Sequence, residues 1–274
     1  MAKYKITFND ALSRFKLGFA NLTRYIFNIE KSGPFLIPSE YKKIFYDYFE
    51  NDWKTNWEDG STWWGQPYHP GNLTCWFDPE QIKLISTSHH SASSISFSAV
   101  EKSRNFGAIT IPNAVGVMRS RASWKYGIFL FEAILPSGVQ LWPALWLTGV
   151  ANWPPEIDLL EGYSDGTNDY HNNRNLQSNI HMSDGQGGNY AAGACTHRLP
   201  NKVTEDFITY IIWWERDFIK LYYNGYLVRE ITDPEVLNAM SEAQQIIIGT
   251  GVQQYFNLDN LTPMIVKNVS VYQK

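Results

Sequence analysis

Cysteine, net charge and long apolar runs are all scarce in this sequence. The 274 residues include two cysteines, Cys75 and Cys195, which lack metal-ligand spacing and can either pair or stay as buried thiols. The formal net charge is −4 and the isoelectric point is about 5.9, which argues against a nucleic acid or an anionic membrane surface as partner. No apolar run is long enough to span a membrane. We expect a monomer with neither of these partners.

Aromatic residues, by contrast, are abundant. They make up 15% of the chain and include 11 tryptophans, while 44% of residues are hydrophobic and 18% charged. Tryptophan and tyrosine rings stack against sugars, but they also fill the cores of β-sandwiches. The composition therefore fits one domain with a substantial core and leaves the role of the aromatics open.

Residues 50–274 consist of short alternating runs separated by glycine, proline, asparagine and aspartate, which is typical of all-β proteins. Two runs around Glu215-Arg216-Asp217 predict a hairpin, and residues 232–245 begin with an N-cap and proline signal that predicts a short helix. With no internal repeat, residues 41–274 are predicted to form one domain.

Residues 1–40 are predicted to be an N-terminal extension, partly helical, that packs on this domain. Apolar residues recur at helical spacing in the first thirty residues, at Leu12, Phe15, Phe19, Leu22 and Ile26. Later in the chain Ile128, Leu130 and Ile134 make one strand face unusually apolar. Our hypothesis is that the extension or a second subunit covers this face; the alternative is that both faces are buried inside the sandwich.

The most informative segment is the acidic run Glu156, Asp158 and Glu161, because acids this close repel one another. On a regular strand Glu156 and Asp158 share a face while Glu161 points the other way, but a β-bulge returns Glu161 to the first face. On a helix Asp158 and Glu161 would lie about 200° and 140° from Glu156, so no face is shared. The spacing predicts a bulged strand with three converging carboxylates.

Two glutamates that flank one space, with a third acid between them, suit retaining glycoside hydrolysis. One carboxylate attacks the anomeric carbon, and the other donates a proton to the leaving oxygen before it activates water. Acidic clusters also bind calcium or lie on exposed strand faces, so the acids alone leave the function open.

The surroundings of the acids narrow the choice. A short loop separates Glu156–Glu161 from the preceding segment Trp142-Pro143-Ala144-Leu145-Trp146-Leu147. Further matching segments lie before and after these two, in the expected order along the chain. These segments are Tyr126-Gly127-Ile128-Phe129, Leu135-Pro136, Phe207–Tyr210 with Trp214, Tyr223-Asn224-Gly225, Met264-Ile265-Val266 and Val269–Tyr272. Residues 45–274 thus resemble family 16 of the glycoside hydrolases, in the branches of laminarinases, agarases and carrageenases, which carry the bulged motif.

The resemblance implies a jelly-roll sandwich of two antiparallel sheets, concanavalin A-like, with a glycan cleft on its concave face. It implies that Glu156 is the nucleophile, Asp158 the assisting acid and Glu161 the general acid/base. Many family members hold a structural calcium with an aspartate at the position of Lys267. Because an ammonium cannot ligate calcium, we predict that this site is absent or altered and that no cofactor is needed.

Seven further residues are predicted to bind substrate. Trp142 and Trp146 flank the acidic strand, and His181 lies on a strand that the resemblance places near the acids. Asn72 resembles an asparagine that touches sugar, and Trp64 belongs to an aromatic insertion with Trp57, Trp63 and Tyr68 that we expect to shape one end of the cleft. Arg119 and Arg121 share a strand face and could form an arginine fork for the sulfate of a sulfated galactan.

The predicted function is endo-acting, retaining hydrolysis of β-1,3 or mixed β-1,3/1,4 glucan. The alternatives are a β-galactanase acting on agar, porphyran, carrageenan or a host glycan, a transglycosylase, and a noncatalytic lectin-like sandwich. A polysaccharide substrate implies an extracellular site of action, yet the first residues lack the features of a signal peptide. We expect either a removed leader or another exit route, such as release from a phage-infected host.

Overall fold

Twenty β-strands account for most of the residues that the structure, a computed structural model, describes: 35–63, 65–69, 72–86, 93–138, 141–162, 175–183, 189–191, 193–199, 202–253 and 261–274. The first ten are β1 (Lys42–Asp47), β2 (Trp57–Asp59), β3 (Tyr68–His69), β4 (Asn72–Phe77), β5 (Ile82–Ser86), β6 (Ser93–Phe97), β7 (Ala99–Phe106), β8 (Ile109–Val115), β9 (Val117–Trp124) and β10 (Gly127–Ile134). The remaining strands are β11 (Leu141–Gly149), β12 (Glu156–Glu161), β13 (Asn175–Ser183), β14 (Asn189–Ala191), β15 (Cys195–Arg198), β16 (Ile208–Trp214), β17 (Ile219–Tyr223), β18 (Tyr226–Ile231), β19 (Gln244–Val252) and β20 (Met264–Gln273).

The strands form two large antiparallel sheets. In one, which we call the back sheet, the order is β18-β17-β16-β10-β20-β6-β5, with β1 also paired to β20. In the other, the cleft sheet, the order is β14-β13-β12-β11-β19-β9-β2, with β15 also paired to β13. About half of the neighbouring strands are distant in sequence, such as β10 beside β20 and β11 beside β19, as in a jelly roll. The predicted all-β jelly-roll sandwich is confirmed.

A smaller sheet of four strands, in the order β3-β4-β8-β7, flanks the sandwich. Strands β4 and β8 run parallel, with Cys75 opposite Asn113, whereas the other pairs are antiparallel. Its strands β3 and β4 follow the aromatic insertion, and Phe77 at the end of β4 packs against Trp63 with ring centroids 6.4 Å apart. The small sheet therefore supports the segment that carries Trp63.

The hydrophobic core lies between the two large sheets. Alternate residues of β10 and β16 enter it from the back sheet, among them Phe129, Phe131 and Trp214, and none of these three has exposed surface. From the cleft sheet Ile157 and Leu159 enter the same core. Because side chains alternate along a strand, burying these residues directs their sequence neighbours Glu156 and Asp158 to the other face of the cleft sheet.

The other face of the back sheet is covered by the chain that precedes β1. Phe35, Ile37 and Tyr41 pack against Ile128 and Leu130 of β10. The Trp213 indole also donates a 2.9 Å hydrogen bond to the Tyr41 hydroxyl, which donates to Glu215. The apolar face of β10 is therefore buried by residues 35–41. Residues 1–34, with the predicted helical segment, lie outside the described residues.

Two smaller predictions agree with the structure. The hairpin around residues 215–217 joins β16 to β17, with Trp214 opposite Ile219. A helix, α1 (Pro234–Ala239), starts at the Asp233 N-cap but is shorter than the predicted span of 232–245 because β19 begins at Gln244. Both cysteines are buried thiols that are not joined in a disulfide.

Candidate active site

Strand β12 contains the β-bulge that the acidic spacing predicts. On the β11 side Trp146 pairs with Asp158 and Leu145 pairs with Leu160, so Leu159 is the extra residue. The register shift moves everything after Leu159 by one position, which returns Glu161 to the face of Glu156 and Asp158. All three carboxylates line a single cleft of about 710 Å³ on the outer face of the cleft sheet.

Two glycines hold the ends of this part of the sheet. At the end of β11, a Cβ on Gly149 would lie 2.6 Å from the Asn152 carbonyl oxygen, so only glycine lets the loop to β12 fold so closely. Just after β12, Gly162 has φ of +64° and donates to the Pro143 carbonyl. The chain can therefore turn away immediately after Glu161.

Aromatic residues form the walls of the cleft. Trp142 and Trp146 project from β11, and Trp63 lies over Trp146 with ring centroids 5.1 Å apart and planes tilted by 30°. Beside the acids the cleft continues into an apolar pocket of about 260 Å³ that Trp63 and Phe77 help to line. Flat rings beside polar groups are the surfaces to which sugar rings stack.

Burial dominates the electrostatics of the acids. Glu156 and Asp158 expose only 8% and 2% of their surface. Desolvation raises the pKa of Glu156 to about 7, although a hydrogen bond from Trp153 and one with Asp158 oppose the shift. Desolvation and the charges of Glu156 and Glu161 raise the pKa of Asp158 well above its ordinary value. Burial also raises the pKa of Glu161. The three groups titrate as one coupled set.

The burial of each acid and the charges around it indicate which of the three keeps its proton to the highest pH. Asp158 is the most buried of the three acids and lies between two other carboxylates, so it is the most costly to ionise. A protonated Asp158 can donate to Glu156 and so favour the Glu156 carboxylate. The Trp153 indole also donates to Glu156 Oε2, at 2.8 Å. Both contacts favour the ionised form of Glu156 near neutral pH.

Two residues of β13 complete the polar surroundings. His181 Nε2 lies 3.5 Å from both Glu156 Oε1 and Asp158 Oδ2, and 3.0 Å from the Asn179 amide nitrogen. Asn179 also forms a hydrogen bond with Glu161, which lowers the pKa of that group against the effect of burial. Asn179 therefore links the acid beyond the bulge to the pair before it.

The structure brings most of the predicted substrate-binding residues to this cleft. Trp142, Trp146, His181 and Arg119 all line it. Asn72 lies in strand β4, where the structure describes only its backbone, and Trp64 falls outside the described residues. Of the rest of the aromatic insertion, Trp63 lines the cleft, Trp57 is fully buried in the core, and Tyr68 packs against Phe106.

The arginine pair differs from the prediction. Both guanidinium groups contact one carboxylate, with Arg119 2.7 Å from Glu58 Oε2 and Arg121 2.7 Å from Glu58 Oε1. Arg121 also donates to the Lys54 carbonyl and is not among the residues that line the cleft. Glu58 therefore holds Arg121 apart from the residues that line the cleft, and substrate binding by Arg121 stays a prediction. The paired charges also leave no free fork for a sulfate.

Three functional side chains were missed by the sequence interpretation: Trp153, Asn179 and Gln245. Trp153 stands three residues before Glu156, next to Pro154 and Pro155. Asn179 lies opposite Asp158 in the β12–β13 register. Gln245 reaches the cleft from β19. Of the three, only Trp153 had a signal in the sequence, its closeness to the acids.

Metal ligation can be considered at two places. Ligand atoms of Glu156, Asp158 and His181 lie within 4.8 Å of one another, a spacing that a cation could fill. At the calcium position implied by the resemblance, Lys267 Nζ lies 2.8 Å from Glu132 Oε1, and the Asn268 amide donates to Glu132 Oε2 at 2.7 Å. An ammonium in this position does not fit a calcium site, which requires oxygen ligands.

Comparison with known proteins decides the family. A family model described as glycosyl hydrolases family 16 matches residues 80–252, well over half of the chain. The chain belongs to glycosyl hydrolases family 16. The match includes the bulged acidic strand of this family 16 protein and the strands on both sides of it.

Individual relatives agree with this placement. A β-glucanase of Rhodothermus marinus is 34% identical over 132 residues, which cover 43% of this chain and 44% of the relative. The glucan endo-1,3-β-glucosidase A1 of Niallia circulans is 30% identical over 127 residues, which cover 43% of this chain and 17% of the relative. The family 16 chain thus spans less than half the length of the curated relatives it matches.

Solved structures share the fold. The laminarinase catalytic domain of Thermotoga maritima superposes with a TM-score of 0.68 at 20% identity, covering 85% of this chain and 98% of that one. The endo-β-1,3-glucanase of Pyrococcus furiosus gives a TM-score of 0.69 at 22% identity, with coverages of 89% and 97%. Among the described residues of this family 16 protein, no helix is long and apolar enough to cross a membrane.

Replacing the central acid is expected to stabilise the protein. The pKa of Asp158 in the native state is raised above its unfolded value of about 4. Between these two pKa values the native state binds more protons than the unfolded state, so the free energy of unfolding falls as pH rises. Asp158→Asn removes this loss. We expect its melting temperature to exceed that of wild type at pH 8 by at least about 2 °C, the shift that about 1 kcal/mol produces in a large domain, and to match wild type below about pH 4.

Differential scanning calorimetry from pH 4 to pH 8 checks this expectation. Asp217→Asn, which neutralises an exposed acid in the β16–β17 turn, controls for net charge. A gain in melting temperature that is constant across pH, or equal in the two variants, would contradict the account.

Proposed function

We propose that this protein is an endo-acting, retaining β-glycan hydrolase whose substrate is β-1,3 or mixed β-1,3/1,4 glucan. The observation that carries the proposal is the bulge at Leu159, which places Glu156, Asp158 and Glu161 on one wall of a tryptophan-lined cleft. Family membership and the glucanase names of its relatives support the same class of substrate. The relatives are matched over part of their length only, so the assignment rests mainly on the geometry of this cleft.

In the first step Glu156 attacks the anomeric carbon and forms a glycosyl–enzyme ester. Its carboxylate is oriented by the Trp153 indole N–H and by Asp158. Glu161 donates its proton to the leaving oxygen, so the glycosidic bond breaks as the ester bond forms. Burial raises the pKa of Glu161, which favours the protonated form that an acid catalyst needs.

In the second step Glu161, now ionised, takes a proton from water, and the water oxygen attacks the anomeric carbon. The ester bond to Glu156 breaks, and the product leaves with the configuration of the substrate. Asp158 shares its proton with Glu156, so it limits the build-up of charge as Glu156 is released. Trp142, Trp146 and Trp63 hold the sugar rings by stacking along the cleft.

Incubation with laminarin, barley mixed-linkage glucan, agarose, porphyran and carrageenan tests the substrate class. We expect oligosaccharides from laminarin or barley glucan, and little release from sulfated polymers, because Glu58 pairs with both Arg119, which lines the cleft, and Arg121. Release from a galactan alone would replace glucan with galactan as the substrate. Binding to a polymer without any release would favour a lectin-like protein, and oligosaccharides extended by added acceptor sugars would indicate a transglycosylase.

We also propose that the calcium site of the family is missing here. Because the Lys267 ammonium contacts Glu132 where the resemblance implies a calcium ion, chelation of divalent cations takes no ion from this position. We expect the melting temperature to change by less than about 1 °C in excess EDTA, whereas a lost structural ion costs several degrees. Lys267→Asp is the matched variant. A melting temperature of wild type that falls with EDTA and recovers with calcium would contradict the proposal.

A further inference from the structure

Leu159, the extra residue of the bulge, is absent from the registers that pair β12 with its two neighbouring strands, and its carbonyl is bound from the core side instead. In the registers of the described strands, β11 skips Leu159 and the pairing with β13 ends at Asp158. The Leu159 side chain is fully buried. A buried carbonyl needs a hydrogen-bond donor, and at a bulge the neighbouring strand does not supply one regularly.

That donor is Tyr223, at the end of β17 in the back sheet. Its hydroxyl donates to the Leu159 carbonyl at 2.5 Å, across the sandwich core. Tyr223 is fully buried, and burial raises its pKa, so the hydroxyl keeps its proton. The two-residue turn Asn224-Gly225, with positive φ at both positions, joins Tyr223 to Tyr226 and fixes the direction of the tyrosine.

Polar and aromatic groups from several strands hold the Tyr223 ring. His197 of β15 meets it edge-on at 5.6 Å, and Tyr210 of β16 does so at the same distance. His197 Nε2 lies 2.8 Å from the Ser178 hydroxyl, to which the fully buried Arg229 of β18 also donates. The charged or titratable groups that act on Tyr223 also include Cys195 of β15 and Asp158 of β12. The hydroxyl therefore has little freedom to move away from Leu159.

We propose that Tyr223 is a positioning residue that sets the place of the general acid/base by holding the bulge. This inference rests on the proposed function, in which Glu161 acts as acid and then as base. Glu156 and Asp158 precede Leu159 and pair with both β11 and β13, whereas Glu161 follows the bulge and, in the registers of the described strands, pairs with β11 alone, opposite Ala144. Loss of the hydroxyl thus displaces Glu161 relative to Glu156 and leaves Glu156 in place.

The test compares two substrates in Tyr223→Phe. On the polysaccharide that wild type cleaves, kcat falls about tenfold with KM within about twofold, since a displacement of about 1 Å costs up to about 100-fold. On a dinitrophenyl β-glycoside, whose leaving group needs no proton, kcat/KM stays within about twofold of wild type. Tyr210→Phe is the control for the loss of a buried tyrosine hydroxyl from the same core, and it leaves both activities unchanged.

Equal losses on the two substrates, or the same result for the two variants, would overturn the proposal. A crystal structure of each variant gives a second readout that does not depend on activity. We expect the separation of the Glu156 and Glu161 carboxylates to change by about 0.5 Å or more in Tyr223→Phe, the tolerance of a catalytic site, and to stay fixed in Tyr210→Phe. An unchanged separation in Tyr223→Phe would refute the inference, whatever the activity of the wild type. If wild type cleaved none of the polymers, that result would refute only the proposed function.

Discussion

Glu156→Ser is expected to lose more than about 10⁴-fold in kcat on the polysaccharide substrate, beyond the upper end of the range for acid–base catalysis, because the covalent step itself is removed. Serine is too short to reach the anomeric carbon from β12. The fold should survive, since the change also removes a buried carboxylate whose pKa is raised to about 7. The measurement is the initial rate of reducing-end release at equal enzyme concentration.

The variant also allows a check on the role of Glu156. A small anion such as azide can enter the space left by the carboxylate and attack an activated aryl β-glycoside, giving an α-glycosyl azide. Glu205→Ser, which removes an exposed glutamate paired with Lys202, controls for the substitution itself. Full activity of Glu156→Ser, or a β-configured azide product, would show that Glu156 is not the nucleophile.

Glu161→Gln is expected to lose about 10²- to 10⁴-fold on the polysaccharide, the range that a general acid supplies. The loss should shrink to less than about tenfold in the first step on a dinitrophenyl β-glycoside, because that leaving group departs without a proton. The comparison is made by burst kinetics, which separates formation of the glycosyl–enzyme from its hydrolysis.

The pH dependence of the same variant gives an independent test. In wild type, burial raises the pKa of Glu161, and activity falls when rising pH removes its proton, so Glu161 contributes the alkaline limb. The acid limb follows ionisation of Glu156, within the coupled set of three carboxyls. In Glu161→Gln the alkaline limb should vanish from the residual activity on the polysaccharide, whose leaving oxygen needs a proton, while the acid limb remains. An unchanged alkaline limb would assign the proton donor to another residue.

The bulged strand could be predicted from sequence because its evidence is local. Period-two alternation fixes the faces of Glu156 and Asp158, and the extra residue needed to include Glu161 implies a bulge before Glu161, which the structure places at Leu159. Trp146 of β11 could be placed for the same reason, since it pairs with Asp158 of the acidic strand. Features that depend only on neighbouring positions within one hairpin can be predicted from the sequence.

Contacts between distant segments could not be predicted in this way. Glu58 captures Arg121 from more than sixty residues away, so the alternation that put Arg119 and Arg121 on one face said nothing about their partner. The hydrogen bond from Tyr223 to Leu159 crosses between the two sheets. The first contact depends on the pairing of β2 with β9 and the second on how the two sheets stack, and the local pattern around each residue encodes neither.

The stereochemistry of the first product tests the two-carboxylate mechanism most directly. Proton NMR during early hydrolysis of laminarin, or of the polymer that the substrate panel selects, records the reducing-end anomer before mutarotation. If Glu156 forms a covalent intermediate that water resolves with help from Glu161, the β-anomer appears first and the α-anomer follows slowly. Immediate appearance of the α-anomer would mean direct attack by water, and it would contradict the assignment of Glu156 as the nucleophile.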